Sequence, residues 1–185
     1  MQKPKLIAFV GLIGSGKTLC ADYLCRRYGY TNIKFAGPLK RMLKEMGLTD
    51  EHLEGALKEQ PCDILDGKTP RWAMQTLGTE WGRNLISENL WGNVWEHHAN
   101  LLLPNRPVVT DDCRFQNEAE RVKRMGGMVV RLVSEENRST ETAASHSSEH
   151  YDYDFDVTIN NPGDKSIFKA LDFLTCGTTD KKLGL

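Results

Sequence analysis

Five short apolar runs punctuate the chain, at Leu6–Val10, Asn32–Ala36, Pro107–Asp111, Met128–Val133 and Asp156–Asn160. Their brevity and near-continuous hydrophobicity predict strands that are covered by helices on both faces. Longer stretches with apolar residues at helical spacing separate them. Lys17 to Tyr28 carries Leu19, Cys20, Leu24 and Tyr28 on one helical pattern, and Gly29 supplies a C-terminal stop. From Pro38 to Leu103 the pattern is mostly helical, with Pro38 and Pro70 at first-turn positions and Thr49 and Thr69 as N-caps. A further helix is predicted from Gln116 to Met125, stopped by Gly126-Gly127, and another from Lys165 to Leu174. Strand and helix alternate, which predicts an α/β fold with a five-stranded parallel sheet and helices on both faces. The polar stretch 134–149, rich in Ser, Thr and Glu, is either a functional lid or a disordered loop.

Length adds one constraint. A chain of 185 residues fits a single compact domain, so 1–185 is expected to be one unit with 37–103 as a long helical insertion. The net charge of −1 argues against a nucleic-acid or membrane-surface binder, both of which use dense basic stripes. With no long apolar run and no signal-peptide pattern, a cytoplasmic location is the default expectation. The five cysteines (Cys20, Cys25, Cys62, Cys113, Cys176) show no paired CxxC spacing and are expected to be reduced thiols, without a zinc site.

The candidate chemistry begins directly after the first strand. Gly11-Leu12-Ile13-Gly14-Ser15-Gly16-Lys17-Thr18 matches GxxxxGK[ST] in full, between an apolar strand and a predicted helix. Glycines let backbone N–H groups turn inward as an anion nest, and the following helix adds its partially positive end. Gly11, Gly14, Ser15, Gly16, Lys17 and Thr18 are therefore the expected contacts to the phosphates of ATP. Lys17 is the expected cation on the β- and γ-phosphates, and the Thr18 hydroxyl a ligand of Mg²⁺.

The third strand ends in Asp111-Asp112-Cys113-Arg114. A carboxylate at this point in a P-loop enzyme holds Mg²⁺ or its waters, and Asp111 is the metal-side candidate. Asp112 is the candidate to orient the acceptor, since ligands of open α/β sheets collect beyond the carboxyl ends of the strands. Either could instead cap the next helix. Arg114 can fork two N–H donors onto an acceptor phosphate. Lys17, Asp112 and Arg114 are the expected catalytic set.

Lys68-Thr69-Pro70-Arg71-Trp72-Ala73-Met74-Gln75-Thr76-Leu77-Gly78-Thr79-Glu80-Trp81-Gly82-Arg83 and Asp112-Cys113-Arg114-Phe115-Gln116-Asn117-Glu118-Ala119-Glu120 resemble motifs of the phage-type deoxynucleoside monophosphate kinases. Together with the P-loop, Phe35-Ala36-Gly37-Pro38-Leu39-Lys40 and His146-Ser147-Ser148-Glu149, the resemblance touches most of the chain. It implies a P-loop nucleoside monophosphate kinase fold, a helical acceptor-binding region, a mobile lid and Mg-ATP as donor. On the Pro70 to Arg83 helix, Arg71 and Gln75 lie four apart on one face, with Trp72 and Trp81 nearby. Arg71 and Arg83 are candidates for acceptor phosphate, Gln75 for a base edge, and either tryptophan for stacking on the base or for plain core packing. Arg138 and His146 on the lid, and Arg131 beside it, are further candidates to meet the phosphoryl group.

These features predict transfer of the γ-phosphoryl group of Mg-ATP to a deoxynucleoside monophosphate, with no nucleic-acid or membrane partner; a homodimer is left open. The competing readings are a P-loop kinase for another metabolite, such as dephospho-coenzyme A or a nucleoside, and a nucleotide-dependent switch. The absence of an Asn-Lys-x-Asp motif speaks against the switch.

Overall fold

The first strand sets the architecture. All five residues of β1 (Leu6–Val10) are buried, which requires apolar cover on both faces of the sheet. The computed structural model describes residues 3–134 and 154–176. In it β1 lies at the centre of a five-stranded sheet with β2 (Thr31–Asn32), β3 (Val108–Thr110), β4 (Met128–Ser134) and β5 (Val157–Asn161). The order is β2-β3-β1-β4-β5, and every pairing is parallel. The expected α/β class with a five-stranded parallel sheet is therefore present.

One face of the sheet is covered by α1 (Lys17–Tyr28) and the C-terminal helix α7 (Ser166–Cys176). Ile7, Phe9, Val109, Val130, Leu132 and Ile159 meet Cys20, Ala21, Leu24, Ile167 and Leu171 in one buried cluster. The residues of β1 that alternate with these, Leu6, Ala8 and Val10, are equally buried, and α6 (Gln116–Arg124) packs against β1 and β4. Polar contacts fasten α1 to α7: the Tyr23 and Tyr28 hydroxyls both donate to Asp172 Oδ1 at 2.6 Å. Burial and the Asp172 carboxylate push the Tyr28 phenol up to about 12, so both hydroxyls remain donors at neutral pH.

By contacts the chain divides into two compact units, one built from Met1–Ile33 with His98–Leu185 and carrying the sheet, the other from Lys34–His97. The second unit has its own core. Leu39, Leu43, Leu48, Leu53, Ala73 and Trp91 form a buried cluster, and Phe35 stacks on Trp95 with ring centroids 4.5 Å apart. Its elements are α2 (Gly37–Glu45), α3 (Asp50–Leu53), two 3₁₀ turns (Ala56–Glu59 and Asp63–Leu65), α4 (Pro70–Gln75), a π-helical segment (Thr76–Ile86) and the start of α5 (Leu90–Leu102). Pro38 and Pro70 do sit in first turns, and the Thr69 hydroxyl accepts from Trp72 N–H at 3.1 Å as an N-cap.

Two expectations need correction. The second strand is only Thr31–Asn32 rather than Asn32–Ala36. The Ile33 N–H still donates to Val109 O at 3.0 Å, but the Gly37 N–H then turns back to Lys34 O, and Phe35 is drawn to Trp95. The uniform helix expected over Pro70 to Arg83 changes register after Gln75 into a π-helix. Its physical cause is Trp91: the indole N–H donates to Gly78 O at 2.7 Å, and the ring lies so close to Gly82 that a Cβ there would come within 2.6 Å of it. The wider π turn makes room for the ring. The stretch 135–149, with Arg138 and His146, lies outside the described residues. Among the described residues, no helix is long and apolar enough to cross a membrane.

Candidate functional site

In a parallel sheet of this order, the chain leaves β1 toward β2 on one side and leaves β3 toward β4 on the other. The crevice at the carboxyl ends of β1 and β3 is then the topological switch point, where open α/β sheets bind ligands. The loop Gly11–Gly16 follows β1 at this point, and Asp111 to Arg114 follow β3.

The loop is shaped by its glycines and by its neighbours. Gly11 adopts a φ of 144°, and a Cβ on it would stand 2.4 Å from the Leu132 carbonyl oxygen of β4, so no other residue fits. Gly16, with φ 95°, is the N-cap of α1. The Ser15 N–H is used within the loop, donating to Leu12 O at 3.2 Å. The N–H groups at the head of α1, from Gly16 through Thr18, belong to the first turn, which has no intrahelical acceptors for its donors. They carry the positive end of a 12-residue helix dipole. Lys17 reaches back over the loop, its ammonium donating to Gly11 O at 2.6 Å and Leu12 O at 2.7 Å. Two fixed cationic features, the helix head and the Lys17 ammonium, thus converge on one loop.

Asp111 is buried, and its Oδ2 accepts from the Thr18 hydroxyl at 2.8 Å. A buried carboxylate beside a hydroxyl is a donor set of hard oxygens, which suits Mg²⁺. Among the described residues no group of three or more His, Cys, Asp or Glu could hold a metal ion alone. A Mg²⁺ ion needs only one or two protein oxygens when phosphate and water complete its shell. Asp112 is partly exposed, and its Oδ1 accepts from the Thr110 hydroxyl at 3.0 Å. Asp111 thus faces the phosphate loop, whereas Asp112 is oriented by its own strand. The capping role considered for either aspartate belongs to another residue.

That residue is Glu118, one of the Asp112–Glu120 segment. It is buried, and its Oε2 accepts from the Arg114 N–H at 2.9 Å and the Phe115 N–H at 3.2 Å. It therefore fixes the backbone from which the exposed Arg114 side chain projects. The signal was a Glu three residues into a helix, where it reaches back to the orphan N–H groups. Between Asp112 and Arg114, burial pushes the Cys113 thiol well up, with Glu118 and Asp112 adding to the effect. Cys113 is accordingly a packing residue and no nucleophile. All five cysteines are free.

The candidates of the second unit sit on its surface. Arg71 pairs with Glu59, and Arg83 Nη1 donates to Glu88 O at 3.3 Å. Gln75 is exposed. Trp72 is 50% and Trp81 39% exposed, so core packing does not account for either ring; Trp91 and Trp95 fill the core instead. Lys68 lies over the Trp72 ring at 5.6 Å. Trp81 leans on Trp91 with centroids 6.2 Å apart. Arg131 is inside β4, opposite Val10 and Thr158, with its guanidinium over the Phe155 ring at 5.1 Å.

Comparison with known proteins points the same way. A protein of Acanthamoeba polyphaga mimivirus, provisionally named a deoxynucleotide monophosphate kinase, is 35% identical over 169 residues, covering 84% of this chain and 88% of its own. The deoxynucleoside-5'-monophosphate kinase of Escherichia phage T5 is 34% identical over 86 residues, covering 44% of this chain and 34% of its own. No family profile matches the chain. Among solved structures, a Thermus thermophilus protein superposes with a TM-score of 0.53 at 19% identity, covering 96% of this chain and 100% of its own, which shows a shared fold.

Proposed function

The chain belongs to the deoxynucleotide monophosphate kinase family, and from that premise we propose that it moves the γ-phosphoryl group of Mg-ATP to a deoxynucleoside monophosphate, releasing the diphosphate and ADP. The observation that carries the reading is the convergence of the α1 head, Lys17 and the Thr18–Asp111 pair on one loop at the switch point of the sheet.

Phosphoryl transfer asks little covalent chemistry of a protein, so positioning and charge neutralisation supply the rate. The loop amides from Gly16 to Thr18, backed by Gly11, Gly14 and Ser15, receive the ATP phosphates. Lys17 places its ammonium against the charge that builds on the transferring group. Thr18 and Asp111 would hold Mg²⁺, which when bound neutralises and orients the phosphate oxygens. Asp112, held by Thr110, orients the acceptor, and Arg114, on the backbone fixed by Glu118, grips its phosphate. On the second unit, taken by itself, Arg71 and Arg83 are proposed to donate hydrogen bonds to phosphate, Gln75 to meet a base edge, and the exposed Trp72 and Trp81 rings to offer a stacking surface. Arg138 and His146, which lie outside the described residues, are proposed to meet the phosphoryl group.

The test is ADP release with each deoxynucleoside monophosphate, dephospho-coenzyme A and nucleosides as acceptors. Turnover with one or more deoxynucleoside monophosphates, and near silence without an acceptor, is the expected pattern. Turnover only with dephospho-coenzyme A or a nucleoside would reassign the acceptor, and steady hydrolysis without any acceptor would indicate a switch.

A further inference from the structure

The phosphate loop is tied to the sheet on both flanks, and only one tie belongs to the expected site. On the β3 side, Asp111 meets Thr18. On the other side Asn161, the last residue of β5, donates from Nδ2 to the Ser15 carbonyl at 3.0 Å. The Asn161 side chain is 7% exposed, and it crosses the end of β4 to reach a loop 146 positions earlier in the chain. Its Oδ1 accepts from the Gly163 N–H at 3.0 Å, so both ends of the amide are used and its orientation is determined. The same amide occupies the space beside Gly16, where an added Cβ would stand 2.5 Å from Nδ2.

We infer that Asn161 is a positioning residue for the triphosphate cradle, acting through the peptide between Ser15 and Gly16. A trans peptide is planar, with its C=O and N–H pointing in opposite directions. A bond that holds the Ser15 carbonyl toward β5 therefore turns the Gly16 N–H away from β5. That N–H is the first donor at the head of α1. Its direction is set by a side chain whose amide is bonded to the Ser15 carbonyl and the Gly163 N–H. The Ser15 N–H is fixed separately by Leu12 O, so the peptide on the C-terminal side of Ser15 is the one left for Asn161 to hold. The inference rests on the proposed use of the loop for ATP.

Asn161→Asp separates the two ends of the amide. It keeps an acceptor for the Gly163 N–H but sets an anionic oxygen against the Ser15 carbonyl, whereas Asn161→Ala removes both bonds. In titrations of the full chain with inorganic tripolyphosphate and with ATP, both variants are expected to bind each ligand about ten-fold more weakly, the scale of one buried hydrogen bond. The KM for the deoxynucleoside monophosphate should stay within about two-fold, because the effect is confined to one peptide of the donor site. A purely structural role would lower the melting temperature and weaken both substrates alike, and that result would overturn the inference. So would unchanged tripolyphosphate binding, or a loss seen with ATP and absent with tripolyphosphate. Should neither variant fold, the wild-type protein still decides: the side-chain ¹⁵N amide signal of Asn161 is expected to shift on adding tripolyphosphate, and an unresponsive signal overturns the assignment. Failure of the kinase reading looks different, since the wild-type protein would then bind tripolyphosphate yet phosphorylate no deoxynucleoside monophosphate.

Discussion

Lys17→Ala is expected to lower kcat by ~10³-fold while leaving the circular dichroism spectrum and the acceptor KM close to wild type. A loss of that size is about 4 kcal/mol of transition-state stabilisation, more than the ~1.5–3 kcal/mol that a charge-assisted hydrogen bond contributes to folding. The two carbonyls that the ammonium meets, Gly11 O and Leu12 O, lie in a part-buried loop, where water can replace it. The effect on stability is therefore small beside the effect on rate. Lys17→Arg is expected to rescue little, because a compact ammonium held between two carbonyls of one loop leaves no room for a planar fork. Steady-state kinetics beside thermal melts measure both quantities. A Lys17→Ala protein that is folded and turns over at the wild-type rate contradicts the role given to this residue.

Asp111→Asn is expected to have the next largest effect. Asparagine keeps an oxygen acceptor for the Thr18 hydroxyl, so the 2.8 Å contact and the local fold survive. The negative charge is lost. At fixed Mg²⁺ the variant should lose ~10²-fold in kcat, and the Mg²⁺ concentration for half-maximal rate should rise at least ~10-fold. Asp112→Asn serves as the comparison, because Asp112 is oriented by Thr110; its expected signature is a raised acceptor KM with unchanged Mg²⁺ dependence. Titrating activity with Mg²⁺ across the three proteins separates the roles. Identical Mg²⁺ curves for wild type and Asp111→Asn would remove Asp111 from the metal side.

The stretch from β1 through α1 was legible to the residue, since three independent local signals coincide there. An apolar run ends at Gly11, a glycine-spaced loop follows, and a helical pattern runs from Lys17 to the stop at Gly29. The ends of β3, β4 and β5 were displaced by only a residue or so from their expected positions, because buried parallel strands read as continuous apolar runs whose ends are weakly marked. Where a tertiary partner outweighs the local pattern, sequence reasoning fails. Phe35 extended the second strand on paper, whereas in the fold it stacks on Trp95. The π register of Thr76–Ile86 depends on Trp91, whose indole takes the Gly78 carbonyl, and nothing within the segment itself announces it.

The site divides in the same manner. The phosphate loop and the β3 aspartates carry their chemistry in consecutive residues, so spacing exposes them. Glu118 was visible as a residue and missed as a cap. Asn161 carries no local signal of its role, which depends on a loop 146 residues away. Positioning groups of this kind become visible only when the fold brings their partners to them.

The most direct test of the account follows the label of γ-³²P-ATP in the presence of deoxynucleoside monophosphates. Radioactivity is expected in the deoxynucleoside diphosphate, in step with ADP and dependent on Lys17. Label recovered as inorganic phosphate at the same rate with or without acceptor would contradict phosphoryl transfer to a deoxynucleoside monophosphate.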